Sequence, residues 1–138
     1  MRLAQEGRRE PVPSRRLLLV EDDTAVREVI SRVLARAGFL VEQVVSVEGA
    51  LEALEREEGH VALVLSDVKL HGLSGLDLAR VIRERWPRLP VCLLSGRPDR
   101  RRYPRYEVDR GYLEKPSSVA TILAEVERLI AGVRRTST

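Results

Sequence analysis

The chain has 138 residues, of which 43% are hydrophobic and 33% charged, enough for one soluble domain and too little for two, and a balance that excludes disorder throughout. No apolar run approaches the roughly 20 residues that span a bilayer, and the start "MRLAQEGRREPVPSRR" lacks a signal-peptide core. The single cysteine, Cys92, has no partner in the chain, so a reducing cytoplasm and no membrane are expected. The net charge of +3 comes from 24 basic and 21 acidic residues; most arginines alternate with glutamates at helical spacing, as in "AVREVISRVLAR", which reads as a solvated, salt-bridged surface.

Residues 1–15 carry Pro11 and Pro13 without apolar periodicity and read as a flexible leader, with a basic cluster of Arg8, Arg9, Arg15 and Arg16 running to its end. From Arg16 short apolar runs alternate with amphipathic segments, the pattern of βα units building a parallel sheet covered on both faces. Strands are predicted at "RLLLVE" (16–21), "LVEQVV" (40–45), "VALVLS" (61–66), "VCLLS" (91–95) and "GYLEK" (111–115). The first helix is predicted over Ala25–Ala37, with Val26, Val29, Ile30, Val33 and Leu34 on one stripe and Gly38 to stop it. Ser46 caps a second over Val47–Glu58, and Leu76–Arg85 makes a third, ended by Trp86-Pro87. Between Ser95 and Gly111 the expected fourth helix is degenerate, broken by Pro98 and Pro104 and rich in arginine; a last helix runs from about Val119 to Ala131, with residues 133–138 as a tail. Five strands alternating with four or five helices predict a three-layer, doubly wound α/β fold, which places ligands outside the carboxyl ends of its strands.

Those strand ends carry the chemistry. The first runs straight into Glu21-Asp22-Asp23, the third ends at Asp67, the fourth at Ser95, and the fifth leads into Lys115-Pro116. Three adjacent acids at a buried strand end need a compensating cation. Asp23 is explained as the N-cap of "TAVREVI". Asp67, at the end of a buried run with Gly72 and Gly75 following in a tight loop, has no such capping role. The two histidines, His60 and His71, fall at opposite ends of the third strand and do not make a zinc site.

The pieces "LLLVEDD", "LVLSDVKLHGLSGLDL", "LLSG" and "GYLEKP", in that order, resemble the receiver domain of two-component response regulators over residues 16–132. The resemblance implies a flavodoxin-like receiver fold in which Asp67 accepts a phosphoryl group from the phosphohistidine of a histidine kinase or histidine phosphotransfer protein. It further implies Mg²⁺ bound by Asp22, Asp67 and the backbone carbonyl of Lys69, with Glu21 acting through a metal-bound water. Lys115 would reach the phosphoryl oxygens, Ser95 would donate its hydroxyl to one, and Tyr112 would turn inward as the readout. Lys69 and Arg97, each two residues past Asp67 or Ser95, would slow hydrolysis of the acyl phosphate. The domain would assist its own phosphorylation without being an enzyme, and would engage a downstream target or a second copy of itself.

Three departures stand out. His71 replaces a usual proline, Ser117 replaces a common aromatic, and the fourth helix resembles receivers of hybrid histidine kinases more than those joined to DNA-binding domains. Only "GVRRTST" follows Ala131, as expected of a stand-alone receiver or of a piece of a longer kinase or regulator. The rival reading is an interaction module that binds nucleic acid or an acidic partner through the Arg97–Arg110 cluster, interleaved with Tyr103 and Tyr106, beside a vestigial acidic site.

Overall fold

The structure, a computed structural model, describes residues 15–70, 72–95, 111–114 and 119–136. In chain order these form β1 (Arg16–Val20), α1 (Thr24–Arg36), β2 (Leu40–Val44), α2 (Val47–Arg56), β3 (Leu63–Asp67), α3 (Gly75–Arg85), β4 (Val91–Ser95), β5 (Gly111–Glu114) and α4 (Val119–Thr136). The five strands make one parallel sheet in the order β2-β1-β3-β4-β5. The chain steps outward from β1 to β2 and then back across it to β3, so the order reverses between β1 and β3, and the crevice beyond their carboxyl ends is where such a sheet binds ligands.

The continuous apolar strands follow from burial on both faces. In β1, Leu17 and Leu19 face α1 and α4, whereas Leu18 and Val20 face α2 and α3; all four are essentially inaccessible. The first layer is completed by Ile30, Leu34, Ile122, Val126 and Ile130, the second by Val47, Ala50, Leu54, Leu78 and Ile82. Each large side chain buried in this way contributes about 1.5–3 kcal/mol by leaving water, so the alternating layers, more than helix propensity, hold the helices in place.

Caps set the helix boundaries. The Asp23 carboxylate accepts from the Val26 amide at 3.0 Å and opens α1. The Ser46 hydroxyl accepts from the Gly49 amide at 3.0 Å and opens α2. After α1 the chain turns through Gly38, whose φ of +97° suits a residue without a Cβ.

Several boundaries differ from those predicted. Strand β3 begins at Leu63, because Val61 and Ala62 form a bend in which the Ala62 amide donates to the Arg16 carbonyl at 2.7 Å; it ends on Asp67 itself, whose backbone pairs with Leu94. Val29 is 57% exposed: it lies on the margin of the stripe, and the sheet is reached by Ile30 and Leu34 instead. The last helix continues five residues beyond Ala131 to Thr136. Arg15, assigned to the leader, donates to the Ala37 carbonyl at 2.9 Å, stacks 3.9 Å from the Phe39 ring centroid and lies 3.7 Å from Glu127. One basic residue thus ties the end of α1, the approach to β2 and α4 together. The degenerate helix expected before β5, and the Arg97–Arg110 cluster with it, lies outside the described residues.

Pairs at helical spacing such as Arg80–Asp77 at 3.0 Å and Arg128–Glu125 at 2.6 Å bear out the salt-bridged surface read from the charge pattern, each worth at most about 1 kcal/mol. Cys92 is the opposite case, fully buried in β4. Burial, reinforced by the neighbouring Glu125, pushes its thiol far up. Native protein is therefore expected to resist a thiol reagent near neutral pH and to react stoichiometrically once unfolded; rapid labelling of the native state would contradict this.

Candidate functional site

Two strand ends build the site. At the end of β1 the Glu21 amide donates to the Val44 carbonyl at 3.1 Å, prolonging the pairing with β2, and Glu21 is only 1% exposed. Its carboxylate accepts from the Asp23 amide at 3.2 Å, and the Arg27 guanidinium donates to its carbonyl at 3.0 Å. Asp22 follows half-buried, and Asp23 turns outward to cap α1. The three consecutive acids are thereby sorted into a buried, a half-buried and an exposed position with different work.

Asp67 ends β3 and is 8% exposed. One carboxylate oxygen from each of Glu21, Asp22 and Asp67 lies within 4.8 Å of the other two, the one such cluster of metal-capable side chains among the described residues. Hard oxygen donors at this separation suit a small divalent cation that keeps several of its waters, so the residues present fit Mg²⁺.

Lys69 is exposed in the loop beyond Asp67. The main chain of Ser95 ends β4, the strand beside β3, and that of Tyr112 lies in β5, one strand further out and paired with Leu93, while their side chains lie outside the described part. Lys115, Arg97, His71 and Ser117 lie outside the described residues altogether.

The far side of the loop is fixed by a feature that the sequence reading missed. Ser74 caps α3, accepting from the Leu76 amide at 3.2 Å and the Asp77 amide at 3.3 Å, while the Asp77 carboxylate accepts from the Ser74 amide at 2.9 Å. The signal was present as "SGLD", a serine followed three residues later by an acid at the start of an apolar stripe. The Ser74 backbone, and secondarily its hydroxyl and Arg80, holds the Asp77 carboxyl below its ordinary 3.8. A carboxylate with a lowered folded pKa adds stability that is present above its unfolded pKa and lost as pH falls through the folded one. Asp77→Asn is therefore expected to lower the melting temperature at neutral pH, with the gap from wild type closing below pH 3.8; a pH-independent gap would contradict it.

A doubly wound parallel α/β domain with acidic side chains gathered at its switch point belongs to the flavodoxin-like class. Residues 17–127 match the family model described as the response regulator receiver domain, so the chain belongs to that family, whose members serve two-component systems. It is 40% identical over 119 residues to the response regulator protein FleR of Pseudomonas aeruginosa, covering 85% of this chain and 25% of the relative. The chain thus spans about a quarter of the length of the first curated relatives it matches. Among solved structures it resembles the receiver domain of the hybrid histidine kinase CckA, with 32% identity, a TM-score of 0.71, and coverage of 83% of this chain and 98% of that one. It also resembles the response regulator TrrA of Thermotoga maritima, solved in complex with Mg²⁺ and BeF, with 25% identity, a TM-score of 0.73, and coverage of 83% and 97%.

Proposed function

We infer that this receiver domain takes a phosphoryl group onto Asp67 from the phosphohistidine of a histidine kinase or histidine phosphotransfer protein. The observation that carries this reading is the convergence of Glu21, Asp22 and Asp67 at the β1/β3 switch point. An Asp67 carboxylate oxygen forms the new P–O bond as the P–N bond breaks, and the electron pair leaves with the imidazole nitrogen. Phosphoryl transfer asks mainly for in-line positioning and neutralised charge on the equatorial oxygens. Mg²⁺, held by Asp22, Asp67 and the Lys69 carbonyl with Glu21 behind a water, supplies part of that neutralisation when bound.

Lys115 provides a further cation, and Ser95 with Tyr112 passes the change to a downstream protein target, in keeping with the greater length of the relatives. Lys69 and Arg97 crowd the water that would hydrolyse the acyl phosphate. This reading places the domain in the cytoplasm; no described helix is long and apolar enough to cross a membrane.

The test is incubation with a small-molecule phosphodonor and Mg²⁺, followed by intact-mass measurement. A gain of one phosphoryl group that a chelator prevents is expected; no gain with any donor would overturn the reading.

A further inference from the structure

Resting on the acceptor reading of Asp67, we propose that Gly75 is the positioning residue of the phosphoryl acceptor. Gly75 is the first residue of α3, eight positions beyond Asp67, and the loop between them folds back so that the helix start lies against the Asp67 peptide. A Cβ placed on Gly75 would overlap the Asp67 carbonyl oxygen and stand 3.1 Å from both the Asp67 carbonyl carbon and the Ser66 hydroxyl. The obstacle is backbone, which cannot swing aside as a flexible side chain would.

Two hydrogen bonds close the same contact. The Gly75 amide donates to the Val68 carbonyl at 2.8 Å, and the fully buried Ser66 hydroxyl donates to the Asp67 carbonyl at 2.9 Å. On its other side the strand is held by the Val68 amide, which donates to the Leu94 carbonyl at 2.9 Å. The Asp67 main chain is therefore clamped between the sheet and the first turn of α3, and the clamp also closes the loop that carries Lys69.

Any side chain at position 75 has to push the Asp67 peptide by about 1 Å to reach ordinary contact, a misplacement that can lower a rate by orders of magnitude when geometry is the main catalytic resource. Gly75 contributes no group to the site; it acts by leaving room.

Gly75→Ala is to be compared with Ser74→Ala, which strips the cap from the same helix but places nothing against Asp67. Phosphoryl uptake at saturating Mg²⁺ and Mg²⁺ affinity by calorimetry are measured alongside the melting temperature. Gly75→Ala should slow uptake about tenfold or more and weaken Mg²⁺ several-fold, whereas Ser74→Ala should melt lower yet keep both within about twofold. Wild-type uptake and affinity in Gly75→Ala, or equal losses in Ser74→Ala, would overturn the proposal. If wild type takes up no phosphoryl group, the acceptor reading falls, and the Mg²⁺ affinities alone decide whether Gly75 positions Asp67. Should Gly75→Ala not fold, Ser66→Ala carries the test: uptake slower by about fivefold, the worth of one hydrogen bond, is expected, and an unchanged rate would overturn the clamp.

Discussion

Asp67→Asn is expected to abolish uptake of a phosphoryl group while leaving the domain folded. Asparagine has nearly the shape of aspartate, so the 8% exposed position and the pairing of its backbone with Leu94 are kept. What disappears is the nucleophile: a neutral amide does not attack phosphorus at a useful rate, and loss of at least about a thousandfold is the scale seen when a nucleophile is removed. The informative control is Asp23→Asn. It makes the same chemical change two positions from Glu21, but Asp23 faces outward, and asparagine is as good an N-cap as aspartate. Uptake and melting temperature should both stay near wild type in that variant. Intact-mass kinetics on the two proteins, with a circular dichroism melt of each, decide the matter. Phosphoryl gain at an undiminished rate in Asp67→Asn would move the acceptor to another carboxylate of the cluster, Glu21 or Asp22, and sink the assignment.

That Asp67 and Asp23 should behave so differently was legible in the sequence, because one ends a strand and the other opens a helix. An acid directly before "TAVREVI" has a capping role, and the acid that closes "VALVLSD" has none. The central strands were equally plain: a sheet covered on both faces demands unbroken apolar runs, which β1, β3 and β4 carry, whereas the edge strands β2 and β5 include Glu42, Gln43 and Glu114. Legibility failed where a contact depends on how a loop returns. Nothing in "DVKLHGLSG" shows that its last glycine will press on the peptide of its first residue, since that follows from where α3 docks against Leu18, Val64 and Leu93. Arg15 was read as leader for the same reason: its partners Ala37, Phe39 and Glu127 are distant in sequence and meet only at the base of the sheet. Val29 shows the limit of helical periodicity, which sorts the centre of a stripe from the far face of the helix but not from its own margin.

Mg²⁺ should raise the melting temperature of the phosphate-free protein by several degrees, and Asp22→Asn should remove most of that increment. Three carboxylate oxygens within 4.8 Å of one another form a concentrated negative site, and two of the residues, Glu21 and Asp67, are shielded from bulk water that would otherwise screen them. The unfolded chain cannot gather Glu21 and Asp22 with a residue 45 positions away, so the cation binds the folded state almost alone. At a hundred times its dissociation constant such a ligand adds about 2.7 kcal/mol, which in a domain of this size corresponds to a rise of roughly 5–15 °C. Asp22 is the acid to remove because it is half-buried: asparagine there leaves a neutral oxygen donor, keeps the packing of β1, and takes away only the charge. Sodium chloride at matched ionic strength separates a bound cation from general screening and should give little of the rise. Equal increments from the two salts, or an undiminished Mg²⁺ increment in Asp22→Asn, would mean that the acids gathered at the switch point are not held together by a metal ion, and the compensation of their charge would then have to come from protein cations alone.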